Sequence, residues 1–264
     1  MPGAAVPTFG GLVEVSVGSA TDLGHHRRVN EDSLLVCPHV YVVADGMGGH
    51  AAGDEASAIL VEEMSRLAAV AVEAADVSEV LRQANVRIRA LADGGAGTTV
   101  TAAIGVEHEG APYWLVANLG DSRTYQLSEG RLEQVSVDHS VVQELLDRGV
   151  LDAAGARRHP QRHVITRAVG TPEALEPDYW LLPVLDGDRL VLCSDGLTGE
   201  VEDAVIADIL LAHPDPQQAA DALVAMALDG GGRDNVTVVV IDARVHGGGS
   251  ELEDTLPRPA SGAT

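Results

Sequence analysis

A chain of 264 residues with 45% hydrophobic content has enough apolar material for one sizeable core, so one domain is expected rather than two. Its 40 acidic residues against 17 basic ones give a formal net charge of -23, which excludes nucleic acid and anionic membrane as main partners, because both demand basic surface. All 17 cations are Arg; a bias that GC-rich coding also produces still leaves few side chains to neutralise a buried group of carboxylates, and favours a metal ion as counter-charge.

Residues 1–11 lack periodic apolar positions and read as a flexible N-terminus. Strand patterns follow at 12–18, 33–37 and 40–44. Two helices come next, with Ala56, Ile59, Leu60, Met64 and Leu67 at helical spacing in the first and Leu81, Ala84, Ile88 and Leu91 in the second. After "DGGAG" the period switches to two: "TVTAAIGV", "PYWLVANLG", "SRTYQL" and "RLEQVS" form a meander joined by short turns. "DRLVLCSDG" is another strand, 203–211 and 216–228 are helical, and "NVTVVVIDA" is the last strand. Strands and helices in separate blocks predict an α+β domain over 12–243, with 244–264 as a disordered tail. Cys37 and Cys193 each sit in an apolar run and read as core fillers rather than thiolate ligands. No basic residue precedes Arg27 and no apolar run approaches bilayer length, which predicts a cytoplasmic protein with neither signal peptide nor anchor, and a monomer by default.

The stretch "VVADGMGGH" (42–50) admits two chemistries. As Gly46-x-Gly48-x-x-Ala51 between strand and helix it passes for a loose dinucleotide fingerprint, which wants an anion. As Asp45 at a strand end followed by glycines, it wants a cation. The order of elements disfavours the first: a second helix follows the first, where a dinucleotide unit needs a parallel strand ending in an acid.

Asp45 has counterparts. Asp121 follows "YWLVANLG", Asp195 follows "RLVLCS", and Asp234 precedes "NVTVVVID". Asp-Gly at one strand end is ordinary turn chemistry. Four such acids, with the cluster Arg27, Asn30, Glu31 and Asp32, instead predict carboxylates converging at one sheet edge, where hard divalent cations would relieve their repulsion.

The ordered set "GHHRRVNEDS" (24–33), "VVADGMGGH" (42–50), "GTTVTAAI" (97–104), "ANLGDSR" (117–123), "VDHS" (137–140), "ITRAVG" (165–170), "LCSDGL" (192–197) and "GGRDNVTVVV" (231–240) resembles the PP2C (PPM) family of metal-dependent protein serine/threonine phosphatases, bacterial type. The resemblance runs from about 12 to 243 and implies a four-layer α-β-β-α sandwich, two mainly antiparallel sheets flanked by helices. It implies two Mg²⁺ or Mn²⁺ ions per site: Asp45 bridging both, the Gly46 carbonyl on the first, and Asp195 and Asp234 on the second. It further implies a third ion at Asp121 and Asp195, with Glu31 and Asp32 as outer-shell acids. The implied reaction is direct attack of a metal-bridging hydroxide on phosphoserine or phosphothreonine, with no phosphoenzyme, opposing bacterial Ser/Thr kinases.

Arg27 suits the substrate phosphate, because a guanidinium fork holds two oxygens and stays charged. Eukaryotic relatives place a His two residues after the bridging Asp. Here Met47 stands there, and His50 is left as a candidate general acid, substrate-positioning group or water ligand. The run "RRHPQRHVITR" (157–167) falls where bacterial relatives carry a mobile flap; Arg157, Arg158 and Arg162 are candidates for phosphoprotein recognition, with internal pairing as the alternative. A catalytically dead binding module would show substitutions at the metal positions, and all four acids are present.

Overall fold

Strands buried on both faces read as continuous apolar runs, and two such strands organise the molecule. In β4 (Val40–Met47), Val40, Val42 and Ala44 face a helical layer while Tyr41 and Val43 face the second sheet. In β12 (Val236–Val245), Val238 and Val240 face helices while Val239 and Ile241 point between the sheets. The computed structural model describes residues 6–9, 13–48, 52–68, 70–91, 95–171 and 175–245.

One sheet runs β1 (Val6–Phe9), β2 (Val13–Asp22), β12, β11 (Arg189–Cys193), β8 (Arg123–Ser128), β9 (Arg131–Gln134). The other runs β10 (Asp178–Pro183), β7 (Ala111–Leu119), β6 (Val100–His108), β4, β3 (Asp32–Cys37), with β5 (Gly97–Thr98) paired to β4. Every pairing is antiparallel. Helices α1 (Gly53–Met64) and α2 (Ala74–Arg89) cover the second sheet. Helices α5 (Asp195–Thr198), α6 (Asp203–Ala212) and α7 (Pro216–Gly230) cover the first. The expected four-layer sandwich is therefore present, with three apolar cores, and Trp114 and Tyr41 meet edge to face in the middle one at 6.0 Å between ring centres.

Several elements differ from the sequence expectation. Val6–Phe9, inside the segment expected to be a flexible N-terminus, pairs with β2. Arg244 and Val245 extend β12 in register with Glu14 and Val13, so the last strand passes the expected boundary at 243. The rest of the expected tail, 246–264, lies outside the described residues. Strand β10 and the short helices α3 (Val141–Asp147) and α4 (Ala153–Arg157) have no counterpart in the pattern reading: β10 is a half-exposed edge strand, and α3 buries no residue, so neither has a clean apolar period. No described helix is long and apolar enough to cross a membrane.

Candidate metal centre and active site

Antiparallel pairing brings the acid-bearing strand ends to one edge. Asp45 ends the apolar part of β4, directly opposite Asp32 on β3. Asp121 follows β7, Asp195 opens α5 just after β11, and Asp234 immediately precedes the loop into β12, the neighbour of β11. A cavity of about 480 Å³ is lined by Asp45, Gly46, Asp121, Asp195 and Asp234, together with Arg27, Glu31 and Arg162. Eight of the predicted site residues thus share one cavity. Asp32 stands behind it, Arg157 and Arg158 lie outside it, and His50 is outside the described residues.

The electrostatics follow from this crowding. Burial, then the charges of Asp32, Asp195, Asp121 and Asp234, pushes the Asp45 carboxyl well above the usual range. Asp121 is raised by burial, then by Asp195 and Asp138. Asp32 is pushed up to about 7 by burial first, with Asp195 and Asp234 adding to it, although Ser194 Oγ donates to its Oδ2 at 2.8 Å. Its other oxygen, Oδ1, is buried without a hydrogen-bond partner. Mutually repelling carboxylates, one with an unsatisfied buried oxygen and all offering hard oxygen donors, fit divalent cations of the Mg²⁺ or Mn²⁺ kind. As they stand, no three His, Cys, Asp or Glu side chains among the described residues are gathered tightly enough to cage an ion. Arg27 Nη2 donates to Asp234 Oδ2 at 2.6 Å.

The loops around the acids are fixed by backbone crossings. A Cβ on Gly46 would lie 2.1 Å from the Gly53 carbonyl oxygen and 2.5 Å from that of Glu31, and one on Gly196 would lie 1.9 Å from the Asn235 carbonyl oxygen. These Asp-Gly glycines are therefore required by close chain packing. Asp45 is clamped by Thr99, whose Oγ1 accepts from Asp45 N at 3.0 Å and whose N–H donates to Asp45 O at 2.9 Å. Buried Asn235 accepts from Glu31 N at 2.8 Å and donates to Leu23 O and Val29 O at 2.9 and 3.1 Å, pinning the loop that carries Arg27 and Glu31.

Sequence reasoning missed Thr99, Asn235, Glu200 and His163. Besides Asn235, the carboxylate of Glu200 accepts from Arg233 N at 3.2 Å and pairs with its guanidinium at 3.2 Å, holding the residue before Asp234. His163 Nδ1 comes within 3.5 Å of Asp195 Oδ2, reaching the site from the segment after α4. Asn235 and His163 lie within "GGRDN" and "RRHPQRH", next to the predicted acid and arginines, whereas Glu200 lies in neither. Of the three arginines proposed for recognition, Arg157 is paired with Glu202 at 2.8 Å, and only Arg162 reaches the cavity.

Residues 25–227 match the family described as Protein phosphatase 2C. The chain belongs to the protein phosphatase 2C family. It is a serine/threonine protein phosphatase by that membership, and its relatives agree. The serine/threonine phosphatase stp of Listeria welshimeri is 36% identical over 239 residues, 84% of this chain and 93% of the relative. A crystal structure of the Mycobacterium tuberculosis serine/threonine phosphatase PstP/Ppp superimposes with a TM-score of 0.81 at 37% identity, covering 88% of this chain and 99% of that one. A structure of the PstP catalytic domain in complex with two manganese ions gives a TM-score of 0.80 at 34% identity, covering 88% and 99%.

Proposed function

We propose that this phosphatase hydrolyses phosphoserine and phosphothreonine on proteins at its acidic edge, with two Mg²⁺ or Mn²⁺ ions held there. The supporting observation is the convergence of carboxylates from separate strand ends in one cavity, where burial and neighbouring acids raise Asp45 and Asp121. Asp45, central among them, would serve both ions, the Gly46 carbonyl one, and Asp195 and Asp234 the other; Asp121 with Asp195 offers a third position. Glu31 and Asp32 would orient surrounding water. Bound there, the ions supply acidification of water and positive charge against the phosphoryl oxygens.

The chain's own part is orientation and charge. Asn235 and Thr99 hold the acid-bearing loops in place before substrate arrives. Arg27 is half exposed, and once Asp234 has another partner its fork is free to take two phosphate oxygens. Arg162 and Arg233 line the same cavity and offset the repulsion that so acidic a protein exerts on a phosphorylated substrate. The substrates are phosphorylated proteins, and the reaction opposes that of a Ser/Thr protein kinase.

Thermal unfolding with added Mn²⁺ tests the metal assignment without activity. A ligand at 100 times its Kd stabilises by about 2.7 kcal/mol, which for a domain of this size raises Tm by roughly 5–10 °C. The intact protein gives that shift, and the Asp195→Asn, Asp234→Asn double variant loses it. An unshifted Tm at millimolar Mn²⁺ contradicts the assignment.

A further inference from the structure

Beside the acidic cavity lies a second one of about 290 Å³, between α3 and α4 on one side and the junction of α5 with α6 on the other. The two share Asp121, Arg162, His163, Asp195, Gly199 and Glu200, so a chain leaving the first cavity past Arg162 and His163 enters the second. Among the residues it does not share with the first, the charged groups are already paired: Arg123 with Asp138 at 2.7 Å, Arg157 with Glu202 at 2.8 Å. Beside Gln143 and Thr198, the rest of that unshared part is an apolar wall of Val142, Leu146, Ala156 and Val201. Helix α3 contributes Val142 and Leu146, yet none of its residues is buried, although a short helix of sequence "VVQELLD" owes its stability mainly to covering its apolar face. That face is left unfinished toward the groove.

We propose that this groove is a specificity subsite of the phosphatase, taking an apolar side chain that flanks the phosphorylated residue of the protein substrate. The proposal rests on the phosphatase reading of the adjoining cavity. Continuity with that cavity supplies the occupant, and beyond the shared mouth with Arg162 and His163 the paired charges set its chemistry: an acidic side chain there would face Asp138 and Glu202, whose pairs would have to be broken to receive it. An apolar one covers Leu146 and Val142 without disturbing either pair.

The test uses the full-length chain with Mn²⁺ and phosphothreonine peptides in which Leu, Ser or Asp is placed at each flanking position in turn, with p-nitrophenyl phosphate as the substrate too small to reach the groove. Leu at one or two positions on one side raises kcat/KM about ten-fold over Ser, and Asp at the same position lowers it. In Leu146→Asp and Val142→Asp, which disturb no buried residue, the preference disappears while p-nitrophenyl phosphate hydrolysis is unchanged. A flat positional profile in the unaltered protein, or an equal loss on both kinds of substrate in the variants, overturns the subsite. A protein inactive on every peptide and on p-nitrophenyl phosphate overturns the phosphatase reading, and the subsite with it.

Discussion

Replacing Asp45 by Asn lowers kcat/KM on a phosphothreonine peptide by about 10³-fold, the scale of losing one preorganised electrostatic group, and raises the Tm of the metal-free protein. Both effects have one cause. Asp45 is held by Thr99 among acids that push its pKa up, after burial has done so first. A carboxyl whose pKa rises on folding binds protons more tightly in the folded chain than in the unfolded one, so stability falls as pH rises. For the metal-free protein the decline starts near the ordinary carboxylate value of about 4 and continues through the value of about 7 at Asp32. The neutral amide removes one member of that repelling set, and the proposed cation site would lose its central ligand with it. Unfolding in EDTA between pH 5 and pH 8 checks the sign: the variant's advantage grows with pH. A lower metal-free Tm in the variant, or activity within ten-fold of the unaltered protein, contradicts this account of Asp45.

The largest loss of stability is expected from Arg189→Ala, far from the chemistry. Arg189 is buried at the start of β11, and its guanidinium makes a two-armed pair with Asp242 at 2.5 and 2.8 Å. Its remaining N–H groups donate to the carbonyls of Leu210, His213 and Pro214 at 2.7 to 2.8 Å, closing the C-terminal end of α6 and the turn into α7. Truncation leaves a carboxylate without its cation and three carbonyls without donors. Breaking a buried pair in this way costs about 3–5 kcal/mol, or roughly 10 °C in Tm for a domain of this length. Asp195 lies past the other end of β11, six residues or about 20 Å away, so kcat below the transition is unchanged. A Tm within about 2 °C of the unaltered protein removes Arg189 from its role as the clamp.

The parts of the fold legible in the sequence are those whose burial is complete. Val40–Ala44 and Val236–Ile241 are apolar on both faces because each strand lies between a helix layer and a sheet. α1, α2, α6 and α7 each cover a core, and their periods show it. β10 and α3 stayed hidden because edge position and partial exposure erase the period. In the site, the acids were legible one by one, since each adjoins an apolar run; that they meet follows only from strand order, with β3 beside β4 and β11 beside β12. Asn235 was illegible for a different reason: its three hydrogen bonds reach residues more than 200 positions away. Gly46 stands in an ordinary Asp-Gly pair, and no local pattern reveals that two backbones cross there.

Hydrolysis of a phosphothreonine peptide, measured first in EDTA and then with increasing Mn²⁺, tests most directly whether the acidic edge is a metal-dependent phosphatase site. No release of phosphate in EDTA, saturable recovery with Mn²⁺, and no recovery at any Mn²⁺ concentration in Asp45→Asn is the result expected. Phosphate release at the same rate with and without metal, or recovery in Asp45→Asn equal to that of the unaltered protein, would contradict it.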